Sequence, residues 1–280
     1  MKDLLLHIYS YPDPTPPEAI DQAVRFAAAV GGDLTALAVQ VNLQASSNYL
    51  ASRLINLAAL CAEQEAKSLA ACKSAVAVFE EKLATYRVTG GSLLTQADLY
   101  AIGSHVALHA RTRDLCLVPM VDGRDGQRAV TEAVVFGSGR PVLLFRPGKA
   151  ELLGGGLSTV VVAWDGSPTA ARALAAALPL LPKARQVRVL TVLNEKAEAR
   201  AGLGAEVVRH LGVHGVEAIA DEVDAANRKV GQVLSDYVAE HGSDLLVMGA
   251  YGRSRIQEFI LGGATESLLA NPRMPLLLAH

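Results

Sequence analysis

Three glycines at fixed distances, Gly249, Gly252 and Gly262, follow the apolar run Leu245–Met248, and Arg253, Arg255, Gly263, Ala264 and Thr265 lie around them. Glycine lets backbone approach a ligand closely and take positive φ, which residues with a Cβ do poorly. Inside a helix Gly262 and Gly263 would each cost about 1 kcal/mol, so the pair reads as a helix start, with Arg255–Ile260 a separate short turn before it. A helix start with unpaired N–H groups beside Arg253 and Arg255 suits an anion, phosphate above all, and Thr265 adds a hydroxyl donor. The complementary group is Asp165, in the run Val-Val-Val-Ala-Trp-Asp-Gly-Ser-Pro that begins at Val160, where a strand gives way to a turn and a helix. A carboxylate there can accept hydrogen bonds from an adenine amino group or ribose hydroxyls; its plainer reading is a helix cap. The glycine loop alone reads equally well as a tight turn. Placed together at strand ends, loop and carboxylate indicate a nucleotide site.

Those strand ends need a sheet to carry them. Apolar runs at Leu4–Ile8, Leu34–Val41, Leu115–Val118, Val142–Phe145, Val160–Trp164, Val187–Leu193, Leu245–Met248 and Leu276–Leu278 alternate with helix-length segments. Runs apolar on both faces and separated by helices predict a parallel sheet covered on each side, so the class is α/β. The halves also align with each other. The stretch beginning Asp114-Leu-Cys matches the one beginning Asp244-Leu-Leu at an offset of 130, and Arg140-Pro-Val matches Met274-Pro-Leu at an offset of 134. The chain therefore reads as a duplication, with about five strands in each half.

Pro and Gly punctuation after Arg146 marks a linker at 148–157 between domains at 1–147 and 158–280. A helical insertion, Asn48 to about Tyr86, distinguishes the first half; Leu54, Leu57, Ala58, Cys61 and Leu69 recur in it at helical spacing and are expected to pack. Cys61 and Cys72 fall about three turns apart on one face, too far for a disulfide. The strands near Pro141 and Pro275 are short and apolar and are expected at a sheet edge. There they would pair either with a second copy, giving a homodimer, or with each other, giving an intramolecular pseudo-dimer.

The bulk composition narrows the function. Lys plus Arg number 26 and Asp plus Glu 28, with 14 of each in residues 1–150 and 12 against 14 after it, so neither half is basic and no nucleic-acid partner is expected. Three cysteines without Cys-x-x-Cys spacing argue against a disulfide framework or structural zinc and fit a reducing cytoplasm. No run approaches the roughly 20 apolar residues of a membrane span, and the N-terminus does not read as a secretory signal. No Gly-x-Ser-x-Gly elbow, phosphate-binding Gly-Lys-Ser/Thr loop or His-Glu-x-x-His helix is present, so a hydrolase or metalloprotease has no positive support. His105 and His109 share a predicted helix face without a third ligand, and Asp221–Asp224 reads as a solvated turn at a strand end rather than a cation site.

The spacing Gly249-x2-Gly252-x9-Gly262 after a strand, with the Trp164-Asp165-Gly166-Ser167 turn, resembles the universal stress protein family, whose nucleotide-binding members carry this pattern followed by Ser or Thr. Gly263 stands where that hydroxyl would be, which removes one donor to phosphate. The resemblance covers nearly the whole chain as a tandem pair, and is specific in the second half. It implies two doubly wound domains, each a five-stranded parallel sheet of order 3-2-1-4-5 flanked by helices. It also implies a non-catalytic, stress-related regulatory role, a tendency to dimerise, and ATP with Mg2+ as the ligand. By the same resemblance Asp165 lies near the nucleoside with Ala163 and Val192 beside the base, while Gly249, Gly252, Arg253, Gly262, Gly263, Ala264 and Thr265 surround ribose and phosphates. A weak ATPase or phosphotransferase using that site, and a scaffold that binds no nucleotide, are the alternatives. In the first half, Tyr9 or its neighbours replace Asp165, Pro119 replaces Gly249, and about four loop residues are missing, although Thr131-Glu132 still matches Thr265-Glu266. The first half is not expected to hold a nucleotide in the same way.

Overall fold

The computed structural model describes residues 1–43, 57–120, 125–148, 156–194, 201–250 and 274–280. In the first half, strands β1 (Asp3–Ile8), β2 (Asp33–Asn42), β3 (Gly90–Asp98), β4 (Leu115–Pro119) and β5 (Val142–Phe145) alternate with helices α1 (Pro17–Val30), α2 (Leu57–Tyr86), α3 (Ile102–Ala110) and α4 (Asp125–Gly137). The second half holds β6 (Leu157–Ala163), α5 (Pro168–Ala177), β7 (Ala184–Leu193), α6 (Leu203–Val213), β8 (Ala218–Asp224), α7 (Val230–Glu240), β9 (Leu245–Gly249) and β10 (Leu276–Ala279). Each half has the expected parallel order 3-2-1-4-5, here β3-β2-β1-β4-β5 and β8-β7-β6-β9-β10.

The halves join edge to edge. β5 and β10 pair antiparallel, Leu276 opposite Leu144 and Leu278 opposite Val142, and close one ten-stranded sheet. Of the two pairings open to these short apolar edges, the chain uses the internal one. Two cores run across the join. On one face α1, α2, α5 and α6 cover Leu4, Leu6, Val160, Val162 and Leu277; on the other α3, α4 and α7 cover Leu5, Val161, Leu246 and Leu278. Successive residues of one strand thus enter opposite cores, which is why the central strands read as unbroken apolar runs.

The duplication extends to single hydrogen bonds. Asp114 Oδ2 accepts from the backbone N–H groups of Lys2 and Asp3, at 2.7 and 3.2 Å, and so ties the start of β4 to the start of β1. Those two bonds hold the Asp114 carboxyl below its ordinary pKa. Asp244, 130 residues on, does the same for Ser158 and Thr159 at the start of β6. Met120 N to Phe145 O and Ala250 N to Ala279 O, each 2.8 Å, repeat at the other end.

Three expectations need correction. β3 and β8 gave no apolar run because they are the outer edges of the sheet and hold only exposed and half-buried residues. Asp221–Asp224 is consequently the end of β8 and not a solvated turn: Asp221 Oδ2 accepts from Arg188 Nη1 at 2.7 Å and from the Tyr237 hydroxyl at 2.5 Å. Burial and the Asp221 carboxylate push the Tyr237 phenol up to about 12. In α2 the packed stripe is Ser68, Cys72, Ala75, Phe79 and Leu83; Leu57, Cys61 and Leu69 are half-buried, Ala58 is exposed, and Leu54 lies outside the described residues. Alanine occurs all round this helix, so its spacing left the phase of the buried stripe open. Cys61, Cys72 and Cys116 are free thiols, and burial drives Cys116 up to about 12.

Candidate nucleotide site

In an open parallel sheet a crevice forms beyond the carboxyl ends of the strands where the order turns back on itself. Here that place lies beyond β6, whose neighbours are β7 and β9. Four of the predicted site residues come together there: Ala163 at the end of β6, Asp165 two residues on, Val192 near the end of β7 and Gly249 at the end of β9. Ala163 and Val192, each half-buried, pack against the same core. Gly252, Arg253, Gly262, Gly263, Ala264 and Thr265, together with the predicted turn at Arg255–Ile260 and the helix start after it, lie outside the described residues.

The turn after β6 is built from short-range bonds. Asp165 Oδ1 accepts from Ser167 N at 3.0 Å, and Gly166 between them takes φ 74°. The helix cap is Ser167: its Oγ accepts from Ala170 N at 3.1 Å and lies 3.1 Å from the Thr169 hydroxyl. Asp165 therefore shapes the turn that presents it, and capping falls to its neighbour. Ser167 and Thr169 went unread in the sequence, though Ser before Pro is a strong helix-start signal.

Gly249 has a packing role that its place in the motif did not reveal. A Cβ there would stand 2.6 Å from Ala170 N and 2.6 Å from Thr169 C, so the first turn of α5 rests directly on its backbone. This close approach brings the Asp165 turn against the root of the glycine loop. His280 Nδ1 lies 3.0 Å from Ala250 O, and its ring meets Phe136 of α4 edge-on at 4.8 Å, fixing that root to the first half.

The strand register makes the first-half counterparts explicit. Leu4 pairs with Leu115 as Val160 pairs with Leu245, and Leu4 pairs with Leu34 as Val160 pairs with Val187. His7 thus stands in place of Ala163, Tyr9 of Asp165, Ser10 of Gly166, Val39 of Val192 and Pro119 of Gly249. In the first half this region is filled. Tyr9 is buried with its hydroxyl 3.4 Å from Gln127 O, and its backbone bonds to Thr15. Ser10 Oγ donates to Val39 O at 2.6 Å and contacts Ser68 Oγ of α2 at 2.7 Å. Ser68 Oγ accepts from Val41 N at 2.9 Å, and Glu65 Oε1 accepts from Leu43 N at 2.7 Å. The inserted helix stoppers the crevice.

Of the other candidates, His105 Nε2 lies 3.0 Å from Thr95 Oγ1, and its ring meets His109 edge-on at 4.8 Å. Partial burial and His109 lower its pKa. Among the described residues no group of three or more His, Cys, Asp or Glu converges as metal ligands, and no helix is long and apolar enough to cross a membrane.

Residues 156–280 match the universal stress protein family. A universal stress protein from Archaeoglobus fulgidus DSM 4304 shares the fold with a TM-score of 0.69 at 15% identity, over 99% of this chain and 97% of that one. A functionally unknown protein from Pseudomonas aeruginosa PAO1 does so with a TM-score of 0.54 at 13% identity, over 98% and 92%. No curated protein sequence matches the chain. Residues 156–280 thus match the universal stress protein family, and the two halves together share the fold of these solved structures over nearly the whole chain.

Proposed function

We propose that this protein is a non-catalytic, stress-related regulatory module that binds one adenine nucleotide, ATP with Mg2+, in its second half. We also propose that the linker at 148–157 divides two unlike domains, only the second of them liganded. The observation that carries this reading is the contrast at equivalent positions. Tyr9, Ser10 and Ser68 fill the first crevice, and the second has Asp165 and Gly166 at the places of Tyr9 and Ser10. The shorter α6 begins only at Leu203, and Gly166 has no side chain to donate to Val192 O as Ser10 donates to Val39 O.

The stopper indicates the polarity of what belongs in the second crevice. In the first half Val39 O takes a donor and Val41 N takes an acceptor. Adenine offers an amino donor beside a ring-nitrogen acceptor, and the Asp165 carboxylate can accept from ribose hydroxyls. Gly252, Gly262, Gly263 and Ala264, with Arg253 and Thr265, would receive the phosphates through backbone N–H groups and charge. The sequence carries none of the hydrolase motifs, which favours binding over hydrolysis.

Calorimetric titration of the full chain tests this. ATP and adenosine should each bind once per chain, GTP more weakly. Asp165→Ala removes a charged acceptor, so adenosine and ATP should both lose roughly 10- to 150-fold in affinity. No binding by either ligand, or affinity unchanged in Asp165→Ala, would overturn the proposal. Phosphate release at stoichiometric turnover would replace it with the ATPase reading.

A further inference from the structure

We propose that two copies of this chain associate through the outer edge of β3, antiparallel about a two-fold axis at Leu94. With β5 and β10 paired to each other, the edges left at the ends of the sheet are β3 and β8. Exposed edges are normally guarded by lysine, proline or bulges. β3 runs for nine residues, Gly-Gly-Ser-Leu-Leu-Thr-Gln-Ala-Asp, without lysine, arginine or proline, and pairs with β2 in unbroken register from Gly90 to Asp98.

The alternation of its backbone decides which atoms are offered. Leu34 N donates to Thr89 O, so 89, 91, 93, 95 and 97 turn their N–H and C=O groups towards β2. Residues 90, 92, 94, 96 and 98 turn theirs outward. An antiparallel partner centred on Leu94 sets Leu94 opposite its own copy, Ser92 opposite Gln96 and Gly90 opposite Asp98, all of them outward-facing residues. Each of these pairs is thus of the hydrogen-bonded kind, alternating with Leu93 opposite Thr95 and Gly91 opposite Ala97, and no charge faces a like charge. Leu94 and Leu93 are 44% and 37% exposed, Tyr100 just past the strand is fully exposed, and Leu108 on α3 is 56% exposed. Leu93 and Leu94 lie on opposite faces of the seam, and Tyr100 stands at its end.

β8 differs. Self-pairing there would set Asp221 against its own copy and crowd Glu222 and Asp224 beside it, and β3 offers those carboxylates no cation. The occupant favoured at the β3 edge is therefore a second β3, a closed contact, and not a β8 from the next copy, which would run on as an open chain.

Light scattering on the full chain across a concentration series should show mass rising from 29.4 kDa to twice that and stopping. Leu94→Asp, which sets two carboxylates face to face at an exposed site, should abolish the rise while circular dichroism stays unchanged. In a Cys61→Ser background, Leu94→Cys should form a disulfide-linked dimer on mild oxidation and Leu93→Cys should not, because only the 94 pair lies directly opposite. A monomer at every concentration without cross-linking at 94, equal cross-linking at 93 and 94, or mass that climbs past the dimer would each overturn the proposal.

Discussion

The two halves share strand order, register and even the carboxylates that tie their strand starts, yet past the first strand of one stand Tyr9 and Ser10, and past that of the other Asp165 and Gly166. Among the described residues the difference lies just past the strand ends and in one inserted helix: Tyr9, Ser10 and Ser68 on one side, Asp165, Gly166 and the close-packed Gly249 on the other. A parallel sheet leaves polar backbone at its carboxyl ends whatever the sequence, and that backbone must be met by something. The first half meets it with its own hydroxyls. At the equivalent place the second has Asp165 and Gly166, which is where the proposed nucleotide would be held.

α2 is part of the first half's core and not an appendage. Phe79, fully buried on its inner face, should show it most strongly: Phe79→Ala should cost about 3–5 kcal/mol in urea unfolding. A cost below about 1 kcal/mol would mean that the helix merely lies on the surface.

The next effect follows from His7, which takes the place of Ala163. Burial lowers its pKa to about 3, against a usual value of 6.5. Between those values the unfolded chain holds the proton and the folded one does not, so stability present above pH 6.5 is lost as pH falls towards 3. The slope is roughly 1.4 kcal/mol per pH unit, about 2 kcal/mol by pH 5. His7→Leu should flatten that part of the curve; a variant that stays equally acid-sensitive would place the cause elsewhere.

Gly249→Ala sharpens the contrast from the other side. Its Cβ would push against the backbone of Thr169 and Ala170, so overpacking should cost about 1–3 kcal/mol. The same shift moves the Asp165 turn, and adenosine affinity should fall with stability. Unchanged values for both would show that α5 yields easily.

Much of this was legible in the sequence. Leu4–Ile8 and Val160–Ala163 feed two cores at once, so their apolar runs announced a covered parallel sheet, and the offset of 130 between Asp114 and Asp244 proved to be a repeated hydrogen-bonding device. β3 and β8 escaped because an edge strand needs no second apolar face. Asp165 was chosen by its place after a strand, and the structure shows it shaping the turn there. The stopper was not legible, because Ser10 and Ser68 lie 58 residues apart and meet only through the insertion. Gly249 was chosen for its place after a strand, and its packing against Thr169 and Ala170 of α5 was not legible because those residues are distant in the sequence.

The smallest effect separates the turn from the carboxylate it presents. Ser167→Ala deletes the side-chain cap on Ala170 N and should cost about 1 kcal/mol. It keeps the backbone N–H of Ser167, and that N–H, at 3.0 Å from Asp165 Oδ1, is the bond that aims the carboxylate. Thermal unfolding should therefore shift while adenosine affinity stays within about threefold of the parent, since threefold corresponds to roughly half of the 1.4 kcal/mol that a tenfold change requires. If Ser167→Ala instead weakens adenosine as much as Asp165→Ala does, the intact first turn of α5 holds the nucleoside and the carboxylate only braces it. The two halves would then differ by a helix start and not by the exchange of Tyr9 for Asp165.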